Sequence, residues 1–252
     1  MNGYRRNIPQ NTHMVYFFEV FHVSRYTRAV FTVVIIPMLV FSAILPHTKK
    51  SASIAKKALA TLAQRLKSTA PDVLVIITPA GMRSEKGYAI NLAGFYTANG
   101  VTYKGDPLMT TEIRKYRLED TASPVMLVSS NVLDDATAVA LSSLALTEHT
   151  PALIPIALSS EDCAGHVAFG DVIHDVLMSS SKACAVIAAI DISDEAFPSH
   201  LQNDELLATF VGDSDAHKAL ALLRGVMKGL PWTGEQLAYT PPALVAHLTI
   251  PA

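Results

Sequence analysis

A histidine stands directly beyond an apolar run. The run is Met38–His47, MLVFSAILPH, and Pro46 breaks it one residue before His47. A short apolar run closed by proline reads as a buried strand. In open α/β sheets, ligands bind just outside the carboxyl ends of strands. An imidazole placed there can ligate a metal or move a proton; it can equally cap a backbone group in the loop. A second apolar run, Ala183–Ile190, ends in Asp191-Ile192-Ser193-Asp194, and Asp134-Asp135 precede an alanine-rich helix. If these chain ends converge, His47, Asp135, Asp191 and Asp194 combine one imidazole with two or three carboxylates, a donor set suited to Fe(II), Mn(II) or Mg(II). The same aspartates also have ordinary uses. Asp191 and Asp194 can close Asx-turns, and Asp134 and Asp135 favour the positive end of the helix that follows them.

The segments between these residues alternate in period. Ser51 to Thr69 carries Ile54, Ala58, Leu62 and Leu66 four apart, the stripe of an amphipathic helix, with Lys56, Lys57, Arg65 and Lys67 mainly off it. Val73–Thr78, VLVIIT, is a β-branched run that reads as a strand buried on both faces, and it leaves through Pro79-Ala80-Gly81. Tyr88–Leu92 and Val125–Ser129 read as short strands, Gly94 to Gly105 as turns, and Asp106 to Glu119 and Asp134 to Thr147 as helical. Ala152–Leu158 is a further strand, and its Pro155 places it at an edge or a bulge. A helix from Val167 to Met178 precedes the Ala183–Ile190 strand; its His174 lies beside the apolar stripe and is expected to pack or cap. Helical patterns over 201–210 and 215–229 follow, then two strands joined at Pro241-Pro242. Strands alternating with helices predict an α/β fold, with a mainly parallel or mixed central sheet flanked by helices.

Half of the 252 residues are hydrophobic and 17% are charged, enough for a large core. A net charge of −2 leaves no basic footprint for nucleic acid. No Gly-rich turn follows the first strand, which argues against a dinucleotide site. Cys163 and Cys184 form no CxxC pair; free thiols fit a reduced compartment and a cytoplasmic protein. Residues 1–37 differ from the rest, with Arg5, Arg6, Arg25 and Arg28 among clustered aromatics. The uncharged stretch Ala29 to Leu45 falls just short of a membrane span and contains Pro37. Residues 1–37 are therefore expected to be a disordered or loosely helical extension, or a misassigned start, with any membrane contact confined to them. Residues 38–252 form the folded domain.

The order of the strand exits resembles the class III extradiol ring-cleavage dioxygenases and the related Memo-like proteins. The first strand ends Leu45-Pro46-His47. Thr78-Pro79-Ala80-Gly81 is similar to the family's Ser-Pro-His-Gly turn, and Asp134-Asp135-Ala136 with Val139-Ala140-Leu141 to its Asp-His-Gly and Val-Pro-Leu. Ala189-Ile190-Asp191-Ile192-Ser193-Asp194 is similar to its Ser-Gly-Asp-Leu-Ser-His, and Tyr239-Thr240-Pro241 and Val245-Ala246 to its closing strands. The resemblance covers about residues 38–252. It implies opening of a catechol-like ring with dioxygen at non-haem Fe(II), held by two histidines and a carboxylate. His47 matches the first histidine, but Ala80 occupies the second and has no donor atom. Asp135 and Asp194 stand where the family has other active-site histidines, and so are the candidate catalytic residues. His47 and Asp191 are the candidate metal ligands. Glu205, Asp213, Asp215 and Glu235 are alternatives for the family's carboxylate. The resemblance thus implies either a dioxygenase with impaired or lost activity or a non-catalytic Memo-like binding or scaffold protein, in a homo- or hetero-oligomer.

Overall fold

The computed structural model describes residues 15–20, 29–34, 39–83, 87–120, 125–146, 151–193 and 212–250. The core is an eight-stranded sheet built from β3 (Leu39–Leu45), β4 (Val73–Thr78), β5 (Tyr88–Asn91), β8 (Val125–Val128), β9 (Ala152–Ala157), β10 (Cys184–Ala189), β11 (Thr233–Thr240) and β12 (Ala243–Thr249). Their order is β11-β12-β3-β10-β4-β9-β5-β8. The central four strands are parallel. β12 runs antiparallel to β3, and β5 antiparallel to β9, so the sheet is mixed at both ends. The expected α/β class with helices on the sheet is what the chain adopts.

Alternation along the strands divides the core in two. In β4, Val73, Val75 and Ile77 meet α3 (Pro107–Asp120), α5 (Cys163–Ser179) and α6 (Asp215–Val226). Leu74 and Ile76 meet α2 (Lys56–Thr69) and α4 (Asp135–Ser143) on the opposite face. Helices α5 and α6 cross at two glycines. A Cβ at Gly170 would lie 2.2 Å from the Leu222 carbonyl oxygen, and one at Gly225 2.2 Å from that of Val167. Only glycine permits this backbone approach.

Four local expectations change. The first helix is broken at Ala55, between α1 (Lys49–Ile54) and α2, which leaves Ile54 46% exposed; the buried stripe is Ala58, Leu59, Leu62 and Leu66. Gly94 to Gly105 is a hairpin, β6 (Phe95–Ala98) and β7 (Val101–Lys104), turning at Asn99-Gly100, both with positive φ. The Asn-Gly pair is the sequence signal for such a turn. Strand β9 lies inside the sheet and not at its edge. Ala152 and Leu158 donate their N–H groups to β4-side carbonyls, so the even-numbered amides of β9 point to β4 and the odd ones to β5. Pro155 lacks its N–H on the β5 side, where pairing covers only Ile156 and Ala157. Within residues 1–37, expected to be disordered or loosely helical, β1 (Val15–Val20) and β2 (Ala29–Val34) pair as an antiparallel ladder. Among the described residues, no helix is long and apolar enough to cross a membrane.

Candidate functional site

The exits of β3 and β10 are neighbours. Ile190 N–H donates to the Leu45 carbonyl at 2.8 Å, which brings His47 and Asp191 together across 144 residues of chain. Asp191 Oδ1 accepts the His47 backbone N–H at 3.2 Å and lies 3.4 Å from His47 Nδ1. Its Oδ2 accepts the hydroxyls of Thr48 at 2.9 Å and Ser51 at 2.7 Å. Thr48 also caps α1, accepting the Ser51 N–H. Burial alone would raise the Asp191 pKa; interactions with His47, Ser51 and Thr48 outweigh it and hold the group below the ordinary 3.8. The carboxylate is therefore a tether between two strand exits and the start of a helix. Thr48-x-x-Ser51, directly after the Leu-Pro-His exit, was the sequence signal for this use.

His47 Nδ1 is buried and makes no hydrogen bond among the described residues; its nearest charge is Asp191. The side chain as a whole is 27% exposed, so its accessible part is the edge of the ring away from Nδ1. A carboxylate beside Nδ1 favours a proton there, which leaves Nε2 as an acceptor.

The other sequence candidates go elsewhere. Asp135 is exposed in the first turn of α4, and it is Asp134 that caps the helix and lines a cleft. Asp194 and Glu205 lie outside the described residues. Ala80 is half-buried in the β4 exit and accepts the Thr78 hydroxyl on its carbonyl at 3.0 Å. Asp215 is paired with Arg83 at 2.6 Å, and Arg83 also donates to the Pro79 carbonyl, binding the β4 exit to the start of α6. Asp213 pairs with Lys218 at 3.2 Å. Glu235 forms a two-point contact with Arg65, at 2.5 and 3.0 Å. Among the described residues, no three His, Cys, Asp or Glu side chains are grouped to hold a metal ion.

His166 and His174 are buried in α5. His174 Nδ1 meets the Val226 carbonyl at 2.8 Å, the packing role expected for it. His166 sits between the Asp162 carbonyl and the Ser159 N–H, and burial pushes its pKa down. Cys184 is core, its thiol pushed up to about 12 by burial. Burial likewise raises Cys163, whose thiol donates to the Gly212 carbonyl at 3.1 Å. Neither is an activated thiolate.

The cleft beside Asp134 was not legible in the sequence. It measures about 320 Å³ and lies over β9, β5 and β8, between the Gly81-Met82 exit of β4 and the loop before α4. No family model and no curated protein matches this sequence. Among solved structures, the chain is similar to the uncharacterized protein JW3007 from Escherichia coli K12. The TM-score is 0.60 at 10% identity, over 83% of this chain and 99% of that one. At that identity the likeness establishes a shared fold.

Proposed function

We propose that this chain is a class III extradiol ring-cleavage dioxygenase-like protein in which metal-dependent opening of catechol rings is impaired or lost. The observation that carries this reading is the engagement of Asp191. A metal-ligating carboxylate needs lone pairs aimed at the ion, whereas both oxygens here accept hydrogen bonds from His47, Thr48 and Ser51. The Fe(II) implied by the family resemblance calls for two imidazoles and a free carboxylate. At the described strand exits the chain offers one imidazole, one engaged carboxylate and Ala80. These residues do not fit the metal. What remains is His47, which can accept a hydrogen bond from a phenolic hydroxyl at its accessible edge. The same engagement of Asp191 favours the second reading, a Memo-like binding or scaffold protein.

The test is iron loading of the full chain under anaerobic conditions, followed by metal analysis and oxygen uptake with protocatechuate. The expected result is iron well below one per chain, and uptake no different between the protein and its His47→Ala variant. One iron per chain, with uptake abolished by His47→Ala, would overturn the proposal.

A further inference from the structure

We propose that the cleft over β9, β5 and β8 binds a small organic cation, with an apolar body and one ammonium group. The cleft exists because helices cover only part of this face. Helix α2 packs on β3 and β12, and α4 on β4 and β10. The surface beyond them is enclosed by the Gly81-Met82 exit and the loop through Ser130, Val132 and Leu133. The floor is made of small or apolar side chains, among them Ala89, Val128, Pro155 and Ala157, and about 320 Å³ is left between them. That is the lower end of the range for small-molecule sites.

The polar groups of the cleft are mostly spent. Asn91 Nδ2 donates to the Ser130 carbonyl at 2.9 Å, and its Oδ1 accepts the Ser130 N–H at 3.0 Å. The charge is Asp134. Its Oδ1 accepts the Thr137 N–H at 2.9 Å and its Oδ2 the Thr137 hydroxyl at 2.6 Å, so each oxygen keeps further acceptor capacity. Asp106, Asp171, Asp213, Asp215 and Glu235 each have a lysine or arginine partner. Asp134 has none among the described residues.

Carboxylate and apolar floor converge on one point. A Cβ built on Gly81 would stand 3.6 Å from Asp134 Oδ2 and 3.1 Å from Ala157 Cβ. A ligand atom reaching the space beside Gly81 therefore touches charge and hydrocarbon together. An apolar body is drawn by the floor, and the cation that Asp134 lacks must come with the ligand. This site is distinct from His47 and Asp191: β3 and β9 are three strand spacings apart, about 14 Å. The inference therefore stands whether or not the dioxygenase reading holds.

The test is calorimetric titration of the full chain, at neutral pH and low salt, with 2-phenylethylammonium, the neutral 2-phenylethanol and the anion phenylacetate. The ammonium compound is expected to bind about tenfold more tightly than the alcohol, with phenylacetate weakest. Asp134→Asn keeps a residue that caps the helix equally well and should bring the ammonium compound to the level of the alcohol. Val128→Phe fills the cleft from a half-buried position and should weaken all three. Equal binding of ammonium and alcohol by the native protein, no ammonium binding at millimolar concentration, or a preference that survives Asp134→Asn would each overturn the proposal.

Discussion

Replacing Asp191 by alanine removes an acceptor that three groups share: the His47 N–H, the Thr48 hydroxyl and the Ser51 hydroxyl. Hydrogen bonds to a charged group contribute roughly 1.5–3 kcal/mol each, and the three together must offset the desolvation of a side chain only 15% exposed. Thr48 and Ser51 can still bond each other, since their hydroxyl oxygens are 2.8 Å apart, so part of the loss is recovered. The net cost is about 3 kcal/mol, which lowers the melting temperature by about 6–12 °C for a domain of this size. The dependence on pH identifies the cause. The folded-state pKa of Asp191 lies below the ordinary 3.8. Its contribution is therefore complete above that value and is lost as pH falls through the lower folded value. Urea midpoints for the native protein and Asp191→Ala should differ equally at pH 7 and pH 5 and converge in stronger acid. Asp191→Asn, which keeps an acceptor without the charge, should fall between them. A variant that melts within about 2 °C of the native protein at pH 7, or a difference that stays constant into acid, would refute the tether.

Two other substitutions test the packing. Gly170→Ala forces a methyl group against the Leu222 carbonyl, so α5 and α6 must separate; a loss of about 3 kcal/mol or more is expected in urea unfolding. Ser42 is fully buried in β3 with its hydroxyl unpartnered among the described residues; Ser42→Ala should stabilise by about 1 kcal/mol, a rise of about 2–4 °C by calorimetry.

Local pattern determined much of the architecture before any contact was known. VLVIIT at 73–78 and the alanine-rich run at 184–189 became fully buried parallel strands, because a strand covered on both faces needs apolar residues at every position. Ala58, Leu62 and Leu66 faced the core because side chains four apart share one side of a helix. Neighbour relations were decided only in three dimensions. β10 inserts between β3 and β4, which precede it by more than a hundred residues, and this insertion sets Asp191 beside His47 and turns a candidate ligand into a tether. Pro155 suggested an edge, yet the strand is interior, because the direction of its missing N–H depends on which neighbour it acquires. Asp134 and Asp135 are adjacent and chemically identical; the path of the chain into α4 alone sends the first into the cleft and the second into solvent. Spacing along a chain records the period of each element, whereas a site is made where elements distant in sequence happen to end together.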